Sequence, residues 1–142
     1  KILEAGGIKQ EILEELLKKL KEKISGLGIE LIEYLYEDDV WYAIRSSYIC
    51  ASELKSEEES MLGIFIASVE SSNEKKTSLD FLKKKTANYF SEYQLERIVK
   101  QLENLGYLQK KRQFLQYSPR TLIEFSEETR KHITEEFKHL IF

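Results

Sequence analysis

The chain has 142 residues, of which 42% are apolar and 11% aromatic, and 22 Lys and Arg against 25 Asp and Glu give a net charge of −3. This length predicts one ordinary domain or two very small ones, and the apolar and aromatic content excludes a disordered chain. No apolar run approaches the roughly 20 residues of a membrane span, and the first ten residues lack the pattern of a secretory signal.

The charges are unevenly distributed along the chain. Residues 1–72 carry 8 basic and 15 acidic residues, residues 73–112 carry 10 and 5, and residues 113–142 carry 4 and 5. The middle of the chain is therefore a basic island in an acidic protein. Such an island permits contact with phosphates, and a solvated polar face is the competing interpretation.

The first predicted element is an amphipathic helix over residues 8–27. Its apolar residues recur at steps of three and four, and Leu13, Leu16 and Leu20 belong to this series. We place a candidate partner interface at these three leucines, with an ordinary core role as the alternative.

A β-hairpin is predicted directly after this helix. The acidic triplet Glu37–Asp39 separates two runs rich in β-branched and aromatic residues. The triplet lacks the Asn-Gly or Asp-Gly pair that would identify the turn type. A helix followed by a hairpin is the second half of a winged helix, so we expect the first domain to be incomplete.

Three further helices are predicted after a polar bridge at residues 46–55. Ser56, with Glu59 three residues later, predicts a capping box at the start of a buried helix. Ser78 and Ser91 predict the N-caps of a short helix and of a longer one.

The last predicted elements are a hairpin at residues 107–117 and a terminal helix over about residues 119–138. Gly106 ends the preceding helix, and Ser118-Pro119 is an N-cap followed by proline at the first helical position. The order helix, short helix, helix, hairpin, helix is that of a winged helix.

The predicted fold class is α+β and mainly helical, with tandem winged-helix domains. The first domain covers residues 1–50 and the second covers residues 51–142.

The helix that would enter a DNA groove lies at residues 91–105. Its predicted outward residues include three acids and two bases, and carboxylates are repelled by the phosphates that line a groove. We therefore predict no reading of base sequence. Weak contacts with the DNA backbone that do not depend on base sequence are the alternative for the basic residues Lys83, Lys84, Lys85, Lys110, Lys111 and Arg112.

The sequence indicates no catalytic or metal-binding chemistry. Cys50 has no clear histidine partner, and a buried structural thiol is the favoured interpretation. His132 and His139 are seven residues apart on the last helix, about 10 Å, which is too far for a shared metal ion without further ligands. No glycine-rich phosphate loop is present.

Three collinear segments resemble the non-SMC element one family. They are "IELIEYLYEDDVWYAIRSS", "ASELKSEEESMLGIFIASVESS" and "LERIVKQLENLGYLQKKRQFLQYSPRTLIEF". The resemblance covers about residues 10–130, and it is the order and spacing of the segments that carry it.

The resemblance implies a tandem winged-helix subunit of a DNA-repair complex built on SMC ATPases. It implies pairing with a MAGE-like winged-helix subunit and with a kleisin, and indirect contact with the SMC heterodimer. It also implies a nuclear, chromatin-associated protein that serves DNA repair and recombination, with no membrane partner. The alternative that the residues leave open is a non-specific DNA-binding protein or regulator with weak affinity for double-stranded DNA.

Two departures from the family pattern matter. Ser118 stands where the family often has glycine before Pro-Arg. The family also ends in a RING-like zinc domain for ubiquitin ligation, which needs about eight Cys and His ligands, whereas this sequence has one Cys and two His. We therefore expect no cofactor in these residues and assign them no ligase activity; zinc is expected only if a RING-like domain follows.

Overall fold

The computed structural model describes residues 10–46 and 53–142. The chain divides into two compact units, Lys1–Ala51 and Ser52–Phe142. The predicted domain boundary and Cys50 lie outside the described residues.

Unit 1 contains a helix and a β-ribbon in its described part. These elements are α1 (Gln10–Ser25), β1 (Ile29–Tyr36) and β2 (Asp39–Ser46). The two strands pair antiparallel along their full lengths, and α1 packs against β1. The predicted helix and hairpin are thus confirmed.

The turn of the ribbon is a two-residue loop formed by Glu37 and Asp38. Tyr36 pairs with Asp39, and both loop residues have positive φ, 51° and 65°. Positive φ at both central residues is typical of the type I′ hairpin turn, whose twist matches that of the flanking strands.

Unit 2 is a bundle of helices closed by a small antiparallel sheet. Its described elements are α2 (Ser56–Glu70), β3 (Thr77–Ser78), α3 (Leu79–Thr86), α4 (Glu92–Asn104), β4 (Leu108–Lys111), β5 (Phe114–Tyr117), α5 (Pro119–Glu124) and α6 (Glu127–Ile141). The strand order within the described residues is β3-β5-β4. This arrangement confirms the α+β winged-helix fold class.

Strand β3 is absent from the sequence-based prediction. It has only two residues, Thr77 and Ser78, which pair with Leu115 and Phe114. Two residues are too few to show the alternation by which a strand is recognised in a sequence.

Helix α2 forms the centre of unit 2. Every residue from Met61 to Val69 is buried, as the sequence predicts for this helix. Helices α4 and α6 and strands β4 and β5 supply the surrounding core and half-buried apolar side chains. The α2–α6 contact depends on Gly63, because a Cβ atom added there would lie 2.5 Å from Cε2 of Phe137.

The predicted caps of α3 and α4 are confirmed. The hydroxyl of Ser78 accepts a hydrogen bond from the N–H of Phe81 at 3.0 Å. The hydroxyl of Ser91 accepts one from the N–H of Gln94 at 3.2 Å, and the Gln94 side chain accepts one from the N–H of Ser91 at 3.0 Å. This exchange satisfies two N–H groups that the first turn leaves free.

The predicted cap of α2 is wrong by one residue. Lys55 is the N-cap, and the carboxylate of Glu58 accepts a hydrogen bond from its N–H at 3.2 Å. Glu58 is buried, so its carboxylate is held in place at the start of α2. Ser56 is the first helical residue and Glu59 is exposed.

The predicted single terminal helix is wrong, since the chain breaks into α5 and α6. Phe125 is extended, with φ −119° and ψ 113°, and the hydroxyl of Ser126 accepts a hydrogen bond from the N–H of Thr129 at 3.1 Å. Ser126 followed by two glutamates is a typical pattern for the N-terminus of a helix, and it is visible in the sequence. Ser118 is the N-cap of α5, with Pro119 following, but its side chain makes no capping hydrogen bond within the described chain.

A partly buried polar network joins β5 to α2 and α6. The hydroxyl of Tyr117 donates to Oε2 of Glu70 at 2.6 Å, and Nε of Arg130 donates to the same oxygen at 3.3 Å. Burial raises the pKa of Tyr117 far above its ordinary value of 10, and the hydrogen bond to Glu70 and the charge of its carboxylate raise it further. The tyrosine therefore stays neutral and holds the sheet to the helices.

A second network joins the start of β4 to α5. The hydroxyl of Tyr107 donates to Glu124 at 2.9 Å, and Thr121 donates to the carbonyl of Tyr107 at 2.6 Å. Arg120 lies 4.4 Å from the Tyr107 ring centroid and is ion-paired with both Glu53 and Glu124. Because Leu108 pairs with Tyr117, both networks hold the same end of the wing hairpin, the end opposite its turn.

Candidate functional site

The outward face of α4 is acidic. The inward residues Leu95, Ile98 and Leu102 are buried. The residues predicted to face outward are all exposed: Glu92, Tyr93, Gln94, Glu96, Arg97, Lys100, Gln101, Glu103 and Asn104. One of the two bases, Arg97, is ion-paired with Glu57 at 3.3 Å. This face therefore lacks the excess positive charge that approach to a phosphate-lined groove requires.

The three consecutive lysines of α3 have different surroundings. Nζ of Lys83 donates to Oε1 of Glu96 at 2.8 Å, and this hydrogen bond raises the pKa of Lys83 and lowers that of Glu96. Lys84 is exposed, and Nζ of Lys85 lies 5.6 Å from the ring centroid of Phe81. The carboxylate of Glu96 on α4 therefore neutralises Lys83, so Lys83 adds little positive charge for contact with DNA.

The wing carries the second group of predicted cations. Lys110, Lys111 and Arg112 are all exposed, and Arg112 lies in the tight turn with a φ of 59°. Lys110 pairs in register with the buried Leu115, and its backbone N–H donates to Glu103 at 3.2 Å. Lys110 therefore shares the acidic side of the wing with α4.

Lys111 lies on the opposite side of the same sheet. It pairs in register with Phe114, and residues opposite each other in an antiparallel pair share one face. Nζ of Lys76 lies 4.2 Å from the centroid of the Phe114 ring, which brings a further cation to this face. Lys76 is not among the cations predicted from the sequence, because the pairing of β3 with β5 that brings it to Phe114 is a tertiary contact.

Unit 1 exposes one edge of the apolar face of α1. Leu13 is buried, whereas Ile12, Leu16 and Leu20 are 50%, 46% and 43% exposed. These three residues recur every four positions and form one stripe along the helix, the α1 stripe. The structure therefore separates Leu13 from Leu16 and Leu20, with which the sequence grouped it.

The β-ribbon of unit 1 also exposes large apolar side chains. Leu35 and Ile44 are 68% and 63% exposed, and both lie on the face that contains the Leu31–Ile44 and Leu35–Val40 pairs. Trp41 is exposed on the opposite face, where its indole N–H donates to the carbonyl of Tyr36 at 3.2 Å. On the first face the Glu33–Tyr42 pair lies between Leu35 and Ile44, so both ends of this face expose an apolar side chain.

The described residues hold no cluster of three or more His, Cys, Asp and Glu side chains that could bind a metal ion. Within residues 10–46 and 53–142, no helix is long and apolar enough to cross a membrane. The expectation of no cofactor stays a prediction.

Comparison with known proteins gives a match of fold. No family model matches the sequence, and no curated protein matches it. A chain of a solved structure described as "Nse1-Nse3-Nse4 complex" is similar to it, with a TM-score of 0.66 at 12% identity. The match covers 90% of this chain and 60% of that one. The chain thus has the fold of a protein in that complex, and the resemblance to the non-SMC element family is confirmed at the level of the fold.

Proposed function

We propose that this chain is a structural subunit of an SMC-type chromosome-maintenance complex. It pairs with a MAGE-like winged-helix subunit and with a kleisin, and it contacts the SMC heterodimer indirectly. Its place of action is chromatin in the nucleus, in DNA repair and recombination. The similarity of fold to a chain of the Nse1-Nse3-Nse4 complex supports this assignment.

The observation that carries the proposal is the exposed apolar surface of unit 1. In its described part, Leu13 is the one apolar side chain that is fully buried, while the α1 stripe, Leu35 and Ile44 are exposed. Burying an exposed Leu or Ile side chain contributes about 1.5–3 kcal/mol. A protein partner that buries these side chains would gain this free energy on binding. DNA binding is less favoured as the main activity, because the acidic outward face of α4 would be repelled by the phosphates that line a groove.

The proposal is tested by co-expressing the chain with a MAGE-like winged-helix subunit and a kleisin fragment. Size-exclusion chromatography with light scattering should show one complex containing all three proteins. The double substitution Leu16→Glu and Leu20→Glu places two carboxylates in the α1 stripe and should weaken the complex at least 100-fold, since charges are costly to bury without partners.

The matched control is Lys18→Gln with Lys21→Gln. These substitutions lie on the opposite side of α1 and change the net charge by the same −2. The control should leave the complex intact. A wild-type chain that elutes alone contradicts the proposed function, and a stripe variant that assembles like the control shows that the partners bind elsewhere.

A further inference from the structure

The β-ribbon carries the excess negative charge of the described part of unit 1. Helix α1 contains four acidic and four basic residues, so its charges cancel. The ribbon, residues 29–46, contains five acidic residues and one basic residue, which gives it a net charge of −4. A partner that covers the ribbon therefore meets an acidic surface.

One face of the ribbon combines two exposed apolar side chains with an exposed acid. Leu35 and Ile44 are exposed toward its two ends, and Glu33 is exposed between them. Residues opposite each other in an antiparallel pair share one face. The members of this face, which we call the Glu33 face, are Leu31, Glu33, Leu35, Val40, Tyr42 and Ile44.

The carboxylate of Glu33 is available to a partner. The one cation of the ribbon, Arg45, lies on the opposite face and donates to Glu30 at 2.8 Å. In the described part of the chain, the Glu33 carboxylate has no hydrogen-bond or ion-pair partner. The Glu33 face is thus an apolar surface with an uncompensated negative charge at its centre.

The spacing of the Glu33 face fits one side of an α-helix. The Leu31–Ile44 and Leu35–Val40 pairs are four residues apart, about 13 Å along the strands, and the Glu33–Tyr42 pair lies halfway. Residues i, i+4 and i+8 of a helix lie on one side of it, and steps of four residues are about 6 Å along its axis. Exposed sheet faces pack against helices, whereas an extended peptide pairs with a sheet edge.

Charge distinguishes among the possible occupants of the Glu33 face. A second copy of the chain would bring two acidic ribbons together, and like charges across an interface oppose binding. The phosphates of a nucleic acid would be repelled in the same way. A basic side chain placed over Glu33 would instead form a charge-assisted hydrogen bond, while apolar neighbours on either side of it cover Leu35 and Ile44.

We infer that the Glu33 face binds an amphipathic helix of one of the partner subunits, with a lysine or arginine at position i+4 between apolar residues at i and i+8. This inference rests on the proposed function and adds to it the chemistry of the partner segment. The apolar contacts provide affinity, and Glu33 selects a basic helix over a neutral or acidic one.

The test measures the affinity of the full chain for the pair formed by the MAGE-like subunit and the kleisin fragment, by biolayer interferometry. Glu33→Lys sets two cations against each other and should weaken binding about 30-fold or more, and Glu33→Gln should weaken it about threefold to tenfold. The control Glu136→Lys makes the same change of charge at an exposed position of α6 and should bind like the wild type. Circular dichroism shows whether each variant is folded.

A charge swap then identifies the partner side chain. Each Lys or Arg that lies between two apolar residues on a helix of the partner subunits is changed to Glu, one at a time. One such substitution should restore the binding of Glu33→Lys to within about threefold of the wild-type affinity and should weaken the binding of the wild type. A substitution that only unfolds the partner would weaken the binding of both chains.

The outcomes separate this inference from the proposed function. A wild-type chain that does not bind the partner pair contradicts both. If the wild type binds and Glu33→Lys binds as tightly as Glu136→Lys, the inference is wrong and the proposed function stands. Loss of binding by Glu33→Lys that no partner substitution restores also overturns the inference, as does a wild-type homodimer that the double substitution Leu35→Glu and Ile44→Glu disrupts.

Discussion

Tyr117 connects three elements of unit 2 through a single hydroxyl group. Its ring meets that of Phe65 edge to face at 5.7 Å, and its hydroxyl reaches Glu70, which Arg130 also contacts. A hydrogen bond to a charged carboxylate contributes more to stability than a hydrogen bond between two neutral groups. The sequence indicates an aromatic residue in a strand at this position, but it does not reveal the partner 47 residues away.

Replacing Tyr117 with Phe tests this network. The change keeps the ring and removes the donor to Glu70, so the free energy of unfolding should fall by about 1.5–3 kcal/mol. Urea denaturation followed by circular dichroism measures the change. Tyr93→Phe is the control, because Tyr93 is 77% exposed and its loss of a hydroxyl should cost less than about 0.5 kcal/mol. Equal effects of the two substitutions would contradict the role of the network.

The stability of the wild type and of Tyr117→Phe should also respond differently to pH. Burial, the hydrogen bond to Glu70 and the charge of its carboxylate raise the pKa of Tyr117 above its ordinary value of 10, so above pH 10 the unfolded chain loses this proton while the folded chain keeps it. Stability that depends on a raised pKa is present below pH 10 and is lost as pH rises. The advantage of the wild type over Tyr117→Phe should therefore shrink between pH 10 and 11, by up to about 1.4 kcal/mol per pH unit. An advantage that grows in this range would contradict the raised pKa.

At the scale of elements, the helices with apolar periodicity and serine caps were predictable, and α3 and α4 begin where Ser78 and Ser91 place them. Strand β3 was not, because it depends on the pairing of Thr77 with the distant Leu115, a contact that no local pattern contains. The start of α6 is a different case, because Ser126 followed by two acids is a local signal for a helix N-terminus.

The close packing of α2 on α6 predicts how the substitution Gly63→Ala changes the free energy of unfolding. Gly63→Ala places a Cβ atom 2.5 Å from the Phe137 ring, so overpacking of about 1–3 kcal/mol opposes the gain of about 1 kcal/mol in helix propensity. We expect a net loss of about 1 kcal/mol of unfolding free energy in urea titrations.

The control for this substitution is the background Phe137→Ala, in which the ring is gone. There Gly63→Ala should become stabilising by about 1 kcal/mol, since only the propensity term remains. A double-mutant cycle shows the reversal of sign. The same effect of Gly63→Ala in both backgrounds would contradict direct contact between Gly63 and Phe137.

At the scale of the whole molecule, the winged-helix fold class was predictable from the sequence, whereas the candidate sites were predictable only in part. The sequence identified α1 as apolar but could not separate the buried Leu13 from the exposed Leu16 and Leu20. It identified the basic island but could not assign Lys110 and Lys111 to opposite faces of the wing. The exposure of a side chain and the sheet face on which it lies depend on tertiary packing, whereas a periodic pattern indicates only that one face of an element is apolar.

We propose that unit 1 provides the surface by which this chain holds its protein partners. Hydrogen–deuterium exchange of the full chain, alone and with the MAGE-like subunit and kleisin fragment, tests this proposal. We expect the amides of α1, β1 and β2 to become at least tenfold more protected on complex formation, because the partners cover the α1 stripe and the ribbon. A complex that forms while the exchange of residues 10–46 stays unchanged would contradict it.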